Sequence, residues 1–173
     1  DMGFFSIILF LLIGTILTMI VQASAATMAI TLIMCANGWI SLELGAALVL
    51  GENIGTTITA NLAALTANTQ AKRAALAHFV FNVFGVIWVL IVFHPFMELV
   101  NWVVDTFFQS NNPEVAISYK LSAFHSIFNI CNVCILIWAV KLIERTVCAL
   151  IHPKEEDEEP RLRFITGLSL IHI

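Results

Sequence analysis

G51-E-N-I-G-T-T-I-T59 lies between A46-A-L-V-L50 and a return to apolar sequence at Ala60. Three threonines, two glycines, an asparagine and a glutamate follow one another there. Glycine loosens a helix, and the other side chains offer oxygen atoms. Such groups are costly in hydrocarbon unless they face protein, water or a ligand. The stretch therefore reads as a break in a membrane-embedded helix.

The surrounding chain supports a membrane setting. Its 173 residues are 60% hydrophobic and 12% charged, with a mean hydropathy of +0.93; soluble domains carry roughly 25% charged residues. No charged residue occurs from Met2 to Leu42, from Ala74 to Met97 or from Leu121 to Val140. Each run reaches the ~20 residues that cross a bilayer core, and none alternates as a membrane barrel strand does. We read an all-α, polytopic membrane protein. The first run is not a signal peptide, because it lacks a positive leading region and apolar sequence soon resumes. A chain that opens at Asp1 and closes in L168-S-L-I-H-I173 reads as an excerpt of a longer protein.

The expected order of segments starts with a helix from about Phe4 to Val21, ended by the small, polar patch Q22-A-S-A-A-T27. Short apolar pieces follow at Met28–Cys35, at Leu42–Leu50 and on to about Leu65. None is long enough to span singly, so they fit re-entrant or discontinuous helices. Spanning helices are expected at about Ala74–Val92 and Lys120–Ile143, with Met97–Phe108 as an interfacial helix whose polar face carries Glu98, Asn101 and Asp105. Lys72 and Arg73 precede one spanning helix, and Lys141, Arg145 and Lys154 follow the other. The positive-inside rule puts both basic ends in the cytoplasm. Residues 1–150 then form a transmembrane unit, and 151–173 an acidic cytoplasmic linker, E155-E-D-E-E159, with the start of a following region.

Two polar clusters carry the chemistry: Gln22, Ser24 and Thr27, then Glu52, Asn53, Thr56, Thr57 and Thr59. Amide and hydroxyl oxygens at such positions can replace the water of a sodium ion. Broken helices add free carbonyls at one end and anion-attracting N–H groups at the other. A cation and an anion can so be held together, as a sodium-coupled anion symporter requires. The competing reading gives the threonines bonds to their own helix and the glycines a packing role. Glu52 is the odd member: it is protonated, paired elsewhere, or bound to the cation.

H78-F-V-F-N82 and H125-S-I-F-N129 share H-x-x-F-N. His78 with Asn82, and His125 with Asn129, share a helix face at this spacing. We read them as polar ties between segments and as possible modulators of the site. Cys131 and Cys134 have metal-site spacing but sit in apolar sequence, so they read as packed thiols. Nucleophile-elbow, zinc-protease and phosphate-loop motifs are missing from the sequence. Lys and Arg together number only 8, too few for a nucleic-acid surface. We expect no enzyme, no nucleic-acid partner and no cofactor beyond a coupling ion.

Q22-A-S-A-A-T27 followed by G51-E-N-I-G-T-T57 resembles the sodium/phosphate cotransporter family, its type II group and bacterial relatives. The likeness continues through K72-R-A-A-L-A-H-F-V-F-N82, the helix near His125 and the linker E155-E-D-E-E-P-R-L162. The family pattern is Gln-Ser-Ser-Ser-Ala in each of two inverted repeats, with Gly-Ala-Asn-Ile-Gly-Thr-Thr downstream. Gln22 stands at the motif glutamine; Ala23, Ser24 and Ala25 stand at its serines, so one hydroxyl of three is kept. Asn53, Thr56 and Thr57 match unchanged, while Glu52 stands where alanine is usual. The resemblance implies one inverted-repeat half of a transporter that couples sodium to inorganic phosphate by alternating access. Sodium would be held by Gln22, Ser24, Asn53, Thr56 and Thr57, with Thr27 joining them at the substrate site. The implied partners are the lipid bilayer, a missing first repeat or a second copy, and a cytoplasmic regulatory domain; the implied location is a cell membrane, the bacterial inner membrane. A transporter of another anion, or a non-transporting anchoring or sensing module, are the other expectations.

Overall fold

The computed structural model describes residues 3–153. Seven α-helices appear among them and no strand. α1 (Phe4–Val21) ends where Gln22 turns left-handed (φ 55°), its N–H donating to the Thr18 carbonyl at 2.8 Å. α2 (Ser24–Ala36) starts two residues later and runs back to the Asn37–Gly38 turn. This break and return agree with the discontinuous helix expected at Gln22–Thr27.

α3 (Leu42–Ala64) corrects the second expected break, because it passes through the whole Gly51–Thr59 stretch without interruption. Ser41 caps its start by accepting from the Leu44 N–H at 3.3 Å, and Glu43 in the first turn suits the helix dipole. Every residue from 44 to 52 is buried, as befits a helix covered on all sides. The glycines serve packing rather than bending. A Cβ on Gly51 would run into the Leu11 carbonyl oxygen, and one on Gly14 into the Leu48 carbonyl. Backbone therefore lies on backbone where α1 crosses α3. The threonine hydroxyls meanwhile bond to carbonyls of their own helix, so no helix end is exposed.

α4 (Thr69–Ile91) is capped by Asn68, whose side chain accepts from the Ala71 N–H at 2.9 Å. It starts five residues before the expected Ala74. Val92 links it to α5 (Phe93–Phe107), where Pro95 sits in the first turn and its missing N–H costs nothing. α5 buries Phe93, Phe96, Met97, Val100 and Val104 and leaves Glu98 and Asp105 outside, as an amphipathic helix should. α6 (Pro113–Leu136) opens with Pro113 and an Asn112 cap on the Glu114 N–H, seven residues before the expected Lys120. A 3-10 turn at Ile137–Ala139 joins it to α7 (Val140–Leu150).

Trp88, Phe96, Phe124 and Phe128 tie α4, α5 and α6 together. Trp88 meets Phe96 edge-on at 5.7 Å, and Phe96 meets Phe124 edge-on at 5.5 Å. By length and composition, α1, α4 and the stretch Pro113–Leu150 can cross a membrane. The chain is thus a multi-pass helical membrane protein. The Arg73 Nε donates to the Ile151 carbonyl at 3.0 Å, so α4 begins where α7 ends. At the opposite end, Lys120 pairs with Asp105 at 3.0 Å. This agrees with grouping both basic ends on one side. Of the expected 151–173 linker, all but 151–153 lies outside the described residues.

Gly51→Val forces the α1 and α3 backbones apart and should cost about 1–3 kcal/mol, the range for an overpacked core. It should lower the thermal unfolding midpoint in detergent. Gly3→Ala, where an added Cβ meets nothing within 4 Å, should leave the midpoint unchanged.

Candidate functional site

The registers of α1 and α2 on α3 position the polar clusters. Leu11 lies against Gly51 and Thr18 against Gly55, so α1 runs parallel to α3. Cys35 lies against Gly45, and Thr31 donates to the Glu52 Oε1 at 2.9 Å, so α2 runs antiparallel to it. Both sides of the Gln22–Ala23 break therefore fall at the Gly55–Thr59 end of α3. Thr18 before the break and Thr31 after it are the side chains that reach α3, at Gly55 and Glu52.

The break sets unlike helix ends side by side. The carbonyl end of α1 carries partial negative charge, and the amide end of α2 carries partial positive charge. Ala23 gives α2 no side-chain cap, while its carbonyl accepts from the Ala26 and Thr27 N–H groups, each at 3.1 Å. Gln22 and Ser24 are exposed. Thr27 is buried, and its hydroxyl donates to the Ala23 carbonyl at 3.3 Å.

On α3 the expected site residues direct their protons into their own helix. Asn53 Nδ2 donates to the Val49 carbonyl at 3.1 Å, Thr56 to the Glu52 carbonyl at 2.9 Å and Thr57 to the Ile54 carbonyl at 2.7 Å. Thr59 does the same toward Thr56 at 2.9 Å. A hydroxyl held this way turns only lone pairs outward, which makes it an acceptor for a cation or for a donor. Asn53 and Thr56 are half-buried, whereas Thr57 is fully buried. Glu52 is 3% exposed and bonded to Thr31. The Thr31 hydroxyl lies 3.0 Å from the Thr27 carbonyl as well, so its contact with Glu52 suits a protonated carboxyl as well as an ionised one.

The asparagines of the two H-x-x-F-N pairs donate within their own helices. Asn82 donates to the His78 carbonyl at 3.1 Å and Asn129 to the His125 carbonyl at 2.8 Å, each within one helix. His78 lines a groove between α4 and α7. The tie between helices comes from Asn132 instead. Its Nδ2 donates to the Phe81 carbonyl at 3.1 Å, and its Oδ1 accepts from the Trp88 Nε1 at 3.2 Å. Asn61 makes a second tie, donating to the Ala75 carbonyl at 2.9 Å and so joining α3 to α4.

Sequence reasoning also passed over three threonines. Thr15 Oγ1 lies 2.9 Å from the Leu11 carbonyl and 3.1 Å from that of Gly51, so its proton is shared with α3. Thr31 holds Glu52. Thr18, 1% exposed against Gly55, has a hydroxyl without a partner among the described residues. All three lie at intervals of three or four from another polar or small residue in uncharged sequence, which was the available signal. Cys131 and Cys134 are free thiols, Cys134 being exposed rather than packed. Among the described residues no group of three or more His, Cys, Asp or Glu could hold a metal ion.

Thr31→Val leaves the buried Glu52 carboxyl without its donor and should cost about 1–3 kcal/mol, read as a lower unfolding midpoint in detergent. Adding Glu52→Leu should recover most of that loss, since two apolar groups then face each other. A double variant no more stable than Thr31→Val alone would show that Glu52 has another essential partner.

The sequence profile of the Na+/Pi-cotransporter family matches residues 7–105, which include the helix break and the α3 motif. A Bacillus subtilis protein, described as the uncharacterized protein YqeW, is 35% identical over 144 residues, covering 83% of this chain and 44% of its own length. The sodium-dependent phosphate transport protein 2C of Rattus norvegicus is 40% identical over 94 residues, 51% of this chain and 16% of that protein. The human sodium-dependent phosphate transport protein 2B is 41% identical over 81 residues, 44% of this chain and 12% of that protein. The chain thus spans less than half the length of each of these relatives. No solved structure matches it. With the profile covering more than half of its residues, the chain belongs to the Na+/Pi-cotransporter family, a family of membrane transporters rather than enzymes.

Proposed function

We propose that this chain is one inverted-repeat half of a symporter that moves inorganic phosphate with sodium by alternating access. The observation that carries the reading is the uncapped, exposed start of α2, a helix held on α3 by the Thr31–Glu52 bond. Free N–H groups at Ser24 and Ala25 suit a phosphate oxygen, and the helix dipole adds to the attraction. Sodium takes the oxygens of Gln22, Ser24, Asn53, Thr56 and Thr57, with the carbonyl end of α1 supplying negative charge. Thr27 steadies the first turn of α2 through its bond to Ala23. Arginine and lysine are not needed, because helix ends provide the donors.

Gln22 and Ser24 are exposed in a chain whose remaining surface is largely apolar. A polar surface in a membrane is satisfied by more protein or by water. A first repeat, or a second copy of this one, covers it in our reading and completes the site. The region after residue 150 leads to a cytoplasmic regulatory domain, and the membrane is the bacterial inner membrane.

A second reading rests on Ala23 and Ala25, which supply no hydroxyl where the family pattern has serine. In that reading the half-site has lost transport, and the chain anchors or senses.

The test is uptake of labelled phosphate by proteoliposomes holding the full-length protein that carries this chain. Uptake should require an inward sodium gradient. Asn53→Ala should lower it about tenfold, equivalent to about 1.4 kcal/mol for one lost contact. Absent accumulation would favour the silent module, and sodium-independent accumulation would overturn the coupling to sodium.

A further inference from the structure

We propose that the end of the protein where α4 begins and α7 ends binds an anionic phospholipid, its phosphate between Lys72 and Arg73 and its two acyl chains in the grooves on either side. The two cations are neighbours in sequence, so they diverge by about 100° around α4. Each lines a different groove. Arg73 lines one of about 640 Å³ between α4 and α7, whose apolar walls include Ala77, Phe81, Ile143 and Val147. Lys72 lines one of about 410 Å³ between α3 and α4, walled by Ile58, Leu62, Leu65 and Phe79. The Arg73–Ile151 hydrogen bond borders both, since Arg73 lines the first groove and Ile151 the second. That bond uses one of the five N–H donors of the guanidinium.

Shape and charge agree on the occupant. From Arg73 to Phe81 α4 rises about 12 Å, and from Lys72 to Phe79 about 10 Å, the reach of the upper part of an acyl chain. Arg145 of α7 adds positive charge along the same helix, and Glu144 is the one carboxylate that lines the larger groove among the described residues. Basic pockets between spanning helices on the side favoured by positive charge are suited to anionic headgroups. By charge alone, the run Glu155–Glu159, next in the sequence, is the competing occupant. It has no apolar side chain to fill either groove, so a lipid satisfies more of the surface. The site requires only that this end lies at the membrane surface, and it stands whether or not the protein carries phosphate.

The experiment measures the unfolding midpoint of the full-length protein in detergent micelles. Phosphatidylglycerol, phosphatidylcholine with the same chains, and inorganic phosphate are added separately. Phosphatidylglycerol should raise the midpoint by several degrees, and the other two should not. Lys72→Gln, which leaves the Arg73–Ile151 bond intact, should shrink that shift. Ala77→Phe, which fills one groove and keeps every charge, should shrink it as well. Equal shifts from both lipids would overturn the proposal by showing general solvation. An equal shift from inorganic phosphate would show a free-anion site. A phosphatidylglycerol shift that emerges only after Glu155–Glu159 are neutralised would assign the surface to that segment. A shift untouched by both variants would place the lipid elsewhere.

Discussion

The contact of the α1 backbone with the α3 backbone is the constraint on which the other elements depend. Gly14 and Gly51 leave no side chain at the crossing, so the carbonyls of Leu48 and Leu11 come into van der Waals reach. In a bilayer this closeness matters more than in water, because lipid competes well for apolar side chains and only fit favours protein. The crossing sets α3 at the centre, and α2 then has one place to return, against the opposite register of the same helix. Thr15 joins the two backbones further by sharing its proton between them. The helix break is therefore held from two directions, by α1 before it and by α2 after it.

Much of this was legible in the sequence. The run Phe4–Val21 and the stop at Gln22 followed from apolar length and a small, polar patch. The Gly51–Thr59 stretch has the same ingredients, yet it stays helical. The difference lies in surroundings. Gln22 is exposed and can turn left-handed, whereas Gly51 is pressed by Leu11, and the hydroxyls of Thr56 and Thr57 cover the carbonyls of Glu52 and Ile54. Composition reports that a segment is loose and oxygen-rich. It does not report whether a neighbouring backbone uses that looseness for contact.

The missed ties teach a related point. Asn129 drew notice because it repeats a pattern, while Asn132 lay three residues on in N-I-C-N-V-C and was read as part of an apolar run. A fully buried amide in such a run has to find partners, and Asn132 finds both a carbonyl and an indole. Thr31 was similarly invisible until Glu52 was seen beside it. In both cases the partner comes from another helix, and no spacing along one segment could have named it.

The short bond from Arg73 to the Ile151 carbonyl has a mechanical meaning. It fastens the far end of α7 to the near end of α4, across 78 positions of sequence. Ile151 is thereby an anchored point rather than a loose helix end. Any tilt of α4 displaces that point by a similar amount, and any pull on the later residues is felt at the base of α4. One side chain thus couples the end of α7 to the base of α4.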